Sequence, residues 1–280
     1  MEYKFDSSTN DYIIMQETTD YNRKRKNWDM AIGLHKIDNI TPSEYLLKLA
    51  EDNINGKLEI SEVEPLLKAY YENRDLSIKE EAEKSECDLV SARITELLAY
   101  DAFSFRTIAL KGIHSYLFKD LYDFAGEYRT HNITKEEFIL NNNTVSYANY
   151  DEIEKILEYD FNKEKEASYK SASKKEEIER LVKFTSSIWQ AHPFADGNTR
   201  TVAVFIEQYL RNMRYKVTND YFKEHSVYFR NALVRSNYSN IEKNIRPTNE
   251  YLIRFFENLL AGAKHQLNNR DLIVKELFDN

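Results

Sequence analysis

The chain has 280 residues, with 47 Asp and Glu against 39 Lys and Arg and a formal charge of −8. That balance argues against non-specific nucleic-acid binding, which draws its affinity from neutralising phosphates, and no apolar run reaches the length of a membrane span. With only 6 glycines and 4 prolines there are few tight turns to connect strands, so an all-α fold is predicted, while the single cysteine, Cys87, fits a cytoplasmic protein.

In chain order, residues 1–27 lack the continuous apolar stretch of a leader or anchor, and the basic cluster Arg23 to Lys26 reads as a solvated helix start. A small helical module is expected over 28–72, then a linker and helix over 73–100. The charged run from Asn73 to Glu86 is read as a solvated connection or the polar start of a helix. The main helical core is placed at 101–238. Within it, Glu136 to Leu140, a turn at Asn141-Asn142-Asn143, and Thr144 to Tyr147 have the pattern of a short β-hairpin. The charged stretch Asn162 to Glu177 links two core helices.

Ile178, Leu181, Val182, Thr185, Ile188 and Trp189 recur at one-face helical spacing, behind a Ser173/Glu176 capping box. Val202, Phe205, Ile206, Tyr209, Leu210 and Met213 repeat the pattern. The first helix should end at His192, because Pro193 biases the residue before it away from helical dihedrals. The second should begin near Asn198, after a tight turn at Gly197. Tyr228 to Tyr238 reads as another buried helix. A carboxy-terminal helical extension, 239–280, contains amphipathic stretches at Glu250–Leu260 and Leu267–Phe278 that suit an inter-domain face or a homodimer face equally.

The loop between the two central helices, HPFADGNTR (His192 to Arg200), concentrates the chemistry. A helix starting at Asn198 presents unpaired N–H groups and the positive end of its dipole, an anion site. Arg200 adds a planar fork suited to phosphate oxygens. Asp196 would oppose a bare phosphate but suits Mg²⁺ bridging two of them. His192 titrates near neutrality and can accept a proton from an attacking hydroxyl.

This string resembles the signature of the Fic family, HPFx(D/E)GNGRxxR. The resemblance extends from about Asp101 to Asn237 and includes the Ala-Gly-Glu-Tyr-Arg run within Leu117 to Ile133. It implies a Fic-fold helical core with a short β-hairpin flap, preceded by a small helical module. It also implies transfer of AMP from ATP to a Ser, Thr or Tyr hydroxyl of a target protein. His192 would be the general base and Asp196 the Mg²⁺ ligand. Gly197, Asn198, Thr199 and Arg200 would lie along the phosphates, with Phe194 anchoring the loop in the core. The segment from Glu136 to Tyr147 would be the flap, aligning a target by strand addition. Asn231, Asn237 and Tyr238 either contact adenine or pack on the core. The 20 tyrosines offer self-modification sites.

Two positions depart from the signature: its second glycine is Thr199 and its second arginine is Ala203. Residues from about Trp28 to Tyr71 resemble the small antitoxin that restrains some Fic toxins through the motif (S/T)xxxE(G/N). Here Asp38 stands at the glutamate and Asn39 follows it. With the second arginine absent, the resemblance implies that Asp38 meets no arginine and that self-inhibition is weak. The alternatives are a Fic-fold enzyme that transfers another nucleotide or phosphoryl group or hydrolyses AMP, and an inactive helical interaction module.

Overall fold

The shortage of glycine and proline appears as helix following helix. The structure is a computed structural model that describes residues 7–100, 102–166, 172–215, 217 and 220–278, without the side chains of 7–19 and 220. Among these residues ten α-helices follow in order: α1 (Ser7–Leu34), α2 (Glu44–Ile54), α3 (Ile60–Tyr71), α4 (Lys79–Ala99), α5 (Thr107–Phe118), α6 (Ile153–Glu166), α7 (Lys174–Ala191), α8 (Asn198–Asn212), α9 (Asp220–Asn237) and α10 (Glu250–Ala261). The all-α class is what the structure shows. Among the described residues no helix is long and apolar enough to cross a membrane.

The central rod is α8, buried on every side from Asn198 to Leu210, as a helix must be when other helices surround it. Helix α7 starts at the expected capping box, Ser173 with Glu176, and turns Ile178, Leu181, Val182, Ile188 and Trp189 inward. Phe105, Phe161, Phe184 and Phe205 join the start of α5 to α6, α7 and α8, with ring centroids 5.0 to 6.4 Å apart. Each such pair adds about 0.5–1.5 kcal/mol beyond its area burial. The loop 192–200 therefore leaves one rigid helix and enters another.

Helix α1 is part of this core. Its Trp28 packs with Leu46, Leu49, Val63 and Leu67 of α2 and α3, whereas Met30, Ala31 and Leu34 belong to the main cluster. The expected boundary at residue 27 falls inside α1, and residues 1–6 of the expected extension lie outside the described residues. At Gly33 the helix meets α9 so closely that a Cβ would sit 2.5 Å from the Lys223 Cα. Ser226 Oγ donates to the Gly33 carbonyl across the same crossing, at 2.7 Å. This contact aims the 3-10 turn that follows, His35–Asp38, at the first turn of α8.

The expected hairpin is not formed as a ladder. Among the described residues, its segment makes one isolated antiparallel bridge, Glu137 to Asn143. Between them lie a 3-10 turn, Phe138–Leu140, and left-handed Asn141 and Asn142. The physical reason is burial: Ile139 and Leu140 turn into the core, so the turn follows core packing instead of extending a strand. The last segment braces it, with Val274 N–H donating to the Ile139 carbonyl at 2.9 Å and Asn141 Nδ2 to the Leu277 carbonyl at 2.8 Å. That segment, expected to be amphipathic over Leu267–Phe278, consists of two short 3-10 turns at Asn269–Leu272 and Lys275–Leu277.

Candidate functional site

The loop opens where the sequence places it. His192 caps α7 in the left-handed region (φ 45°, ψ 58°), a conformation that costs a non-glycine residue about 1–2 kcal/mol. Arg129, the arginine of the Ala-Gly-Glu-Tyr-Arg run, holds it there. Its Nε donates to the His192 carbonyl at 2.8 Å, its Nη1 to His131 O at 2.7 Å and its Nη2 to Ala148 O at 2.5 Å. The Arg129 N–H adds a bond to Pro193 O at 2.8 Å.

Asn198 closes the loop, accepting from Phe194 N at 2.9 Å and donating to Phe194 O at 2.7 Å. Gly197 is required twice over: its φ is +72°, and a Cβ would lie 2.3 Å from the Phe118 ring. It is the N-cap of α8 and brings no side-chain cap, so the first-turn N–H groups stay available to an anion. Asp196 is exposed, with one carboxylate oxygen accepting from Gly197 N at 2.6 Å.

Two histidines serve the loop, and their bonds fix their tautomers. His114 Nδ1 accepts from the Gly126 N–H at 2.8 Å. Its proton is therefore on Nε2, which donates to the Asp196 carbonyl at 3.1 Å. The ring also stacks on Phe194 at 3.8 Å, and burial pushes its pKa down to about 4. In His192, Nδ1 lies 3.3 Å from the Trp189 carbonyl. A carbonyl only accepts, so Nδ1 carries the proton and Nε2 keeps a free lone pair. Burial, followed by the nearby charge of Lys135, pushes the His192 pKa down to about 3, leaving the imidazole neutral at physiological pH.

Arg200 is caged. Its Nη1 donates to Glu86 Oε1 at 2.6 Å, its Nε lies 3.4 Å from Asp38 Oδ2, and the guanidinium covers the Phe118 ring at 4.8 Å. Burial works against its charge, but Asp38 and Glu86 outweigh that and raise its pKa. The expectation that Asp38 meets no arginine is corrected here: it reaches Arg200, the first arginine, because the α1–α9 crossing aims the 3-10 turn at it. Asn39, by contrast, ends that turn in the left-handed region and is exposed.

The departure at Thr199 has a structural use, since its hydroxyl accepts the buried indole N–H of Trp189 at 2.9 Å.

His192, Asp196, Gly197, Asn198, Thr199, Arg200 and Asp38 all line one cavity, together with Ile37, Lys135, Trp189 and Arg230. Its volume is only about 10 Å³, roughly one water molecule. Phe194, wholly buried against His114, lies behind the loop instead. Asn237 is committed to Ser186 and the Leu233 carbonyl, and Asn231 to Asn269 at 3.0 Å; neither lines the cavity. A larger cavity of about 310 Å³ between α6 and α7, lined by residues such as Asp160 and Arg180, contains no residue of the loop.

Residues 104–210 match the family model described as the Fic/DOC family. The chain carries a Fic domain. The match contains His114, Gly126, Arg129 and the whole loop 192–200, whereas Asp38 and Arg230 reach the cavity, and Glu86 reaches Arg200, from outside it.

Sequence reading missed Glu86, Lys135 and Arg230. Glu86 looked like one more charge in a solvated run. Arg230 did leave a signal, a cation inside the buried run Tyr228–Leu233. Lys135 left none, because its place depends on how the flap segment folds.

Proposed function

We propose that this Fic-fold transferase is a protein adenylyltransferase, moving AMP from ATP to a Ser, Thr or Tyr hydroxyl. The observation that carries this reading is the His192 tautomer: Nδ1–H is tied to the Trp189 carbonyl, and Nε2 is left unprotonated in a residue that lines the cavity at the uncapped start of α8. His192 Nε2 takes the hydroxyl proton as the oxygen bonds to the α-phosphorus. The bond to the β-phosphate oxygen breaks, and pyrophosphate leaves.

The α8 N–H groups and Arg200 offset charge as it develops on phosphate oxygens. Among the described residues no three His, Cys, Asp or Glu form a metal-ligating group. A lone exposed carboxylate, Asp196, suits Mg²⁺, which commonly takes one or two carboxylates and completes its shell with water and phosphate. The ion would offset phosphate charge. The segment from Glu136 to Tyr147 would present the target, and exposed tyrosines of the chain itself are further acceptors.

A cavity of about 10 Å³ has no room for a nucleotide, so Ile37 and Asp38 must withdraw from Arg200 before ATP enters. The amino-terminal segment is then a gate. Helix α1 itself is fixed in the core, so the moving part is the end of the 3-10 turn, where Asp38 meets Arg200 through one ion pair with its side chain 26% exposed, an interaction of modest strength.

Incubation with Mg²⁺ and either α- or γ-labelled ATP tests the chemistry. Protein should acquire label from the α position only, and His192→Ala should lower the rate about 10²- to 10⁴-fold. Label from the γ position would indicate phosphoryl transfer, and no label from either would sink the transferase reading.

A further inference from the structure

The cavity has two further cations besides Arg200. Arg230 of α9 and Lys135, at the base of the flap segment, line it together with His192. Both act on His192 electrostatically, Lys135 more strongly. Three cations thus face one cavity.

Their neutralisation differs. Arg200 is met by Asp38 and Glu86. Arg230 makes a two-pronged pair with the wholly buried Glu137, Nη1 to Oε2 at 2.5 Å and Nη2 to Oε1 at 2.9 Å, which fixes its orientation. Lys135 makes no ion pair or side-chain hydrogen bond among the described residues. Its backbone is nonetheless anchored, with its N–H donating to Thr144 Oγ1 at 3.0 Å. Glu137 is near enough to feel the Lys135 charge, but both its oxygens are engaged by Arg230, so a half-buried ammonium on an anchored backbone at the edge of a polar cavity is placed to receive an anion.

We infer that Lys135, backed by the Arg230–Glu137 pair, binds the phosphate group nearest His192, the one whose phosphorus the hydroxyl attacks. This rests on the nucleotidyl-transfer reading for the identity of the anion. An acidic segment of a target protein is the less fitting occupant, because Lys135 shares a narrow cavity with His192, Asp196 and the first turn of α8. An ammonium is a compact point charge and can follow the phosphate as it moves between oxygens. An anion there would also offset the Lys135 charge, which adds to the larger effect of burial in keeping the His192 pKa low, making the base stronger when substrate is bound.

The test uses the full chain with Lys135→Ala and Lys135→Arg. Neither leaves a buried charge unpaired, and thermal melting confirms that each folds. Two readouts are needed: equilibrium binding of Mg²⁺–ATP by calorimetry, and kcat and KM for incorporation of α-label. Lys135→Ala should weaken ATP binding about tenfold and lower kcat about 10- to 100-fold, with Lys135→Arg recovering most of both.

Wild-type affinity and wild-type kcat in Lys135→Ala would overturn the inference, as would failure of the wild type to bind Mg²⁺–ATP. Loss of labelling on a target alone, with ATP affinity and self-labelling intact, would assign Lys135 to the target and also overturn it. ATP binding that depends on Lys135 without any transfer of label would leave the phosphate site standing and defeat the transfer reading instead.

Discussion

The two ends of the cavity solve the problem of a buried charge in opposite ways. At the Arg200 end, a permanently charged group is surrounded by Asp38, Glu86, the Tyr122 hydroxyl and the Phe118 ring, so its charge is satisfied before any ligand arrives. At the His192 end, the imidazole is kept neutral chiefly by burial, and the carboxylate that Lys135 feels, Glu137, is already paired with Arg230. On the proposed reading, the first end must give up a contact to bind phosphate and the second need not, which would separate control from chemistry within one small site.

The sharpest way to break this contrast is to strip Arg200 of its acids one at a time. Glu86→Ala removes the closer partner of a buried guanidinium and should destabilise the fold by about 3 kcal/mol in chemical denaturation. Asp38→Ala leaves Glu86 in place and should change stability by less than about 1 kcal/mol, yet raise α-label incorporation roughly five- to tenfold as the gate loosens. Equal effects on stability from the two substitutions would show that Arg200 does not distinguish its partners. Deleting residues 1–40 is a poor substitute, because Met30, Ala31 and Leu34 would leave the core with the gate.

Proton uptake probes the histidines. The folded-state pKa of His114 is pushed down to about 4, below the ordinary value near 6.5. The unfolded chain therefore binds a proton as pH falls through 6.5 while the native protein does not, and stability declines from there towards pH 4. His192 contributes with the same sign. Glu137 and Asp88, whose pKa values burial raises, act in the opposite sense. Comparison of slopes isolates one group: His114→Gln should lose about 2 kcal/mol less than the wild type between pH 7 and pH 5. Identical slopes would mean that His114 titrates normally in the folded chain.

The smallest effect concerns the departure from the family signature. Thr199→Gly restores the usual residue but removes the acceptor of the Trp189 indole, and should lower stability by about 1–2 kcal/mol. Thr199→Ser, which keeps the hydroxyl, should melt close to the wild type. If the glycine variant proves as stable as the wild type, the Trp189–Thr199 bond is dispensable.

Much of the site was legible because it is local. The capping box at Ser173, the end of α7 at His192, the glycine at 197 and the start of α8 at Asn198 all follow from neighbouring residues and appear where expected. The flap was less legible. Alternation and an Asn-rich turn suggested a hairpin, but Ile139 and Leu140 bury themselves and a carboxy-terminal segment more than 130 residues distant braces the turn. Asp38 was singled out, but its contact with Arg200 was not foreseen, because a missing arginine at 203 says nothing about which arginine the α1–α9 crossing brings within reach.

By itself, the sequence determined that the protein is helical and that one loop gathers a base, a carboxylate, a tight turn and a cation, since helix periodicity, capping and turn chemistry operate over a few residues. Only the tertiary structure decided which charges meet. Glu86 and Arg200 are 114 positions apart, and Glu137 and Arg230 are 93 apart. Periodicity tells which face of a helix is apolar, but the partner that face meets, and the charges carried along its rim, depend on packing the whole chain at once.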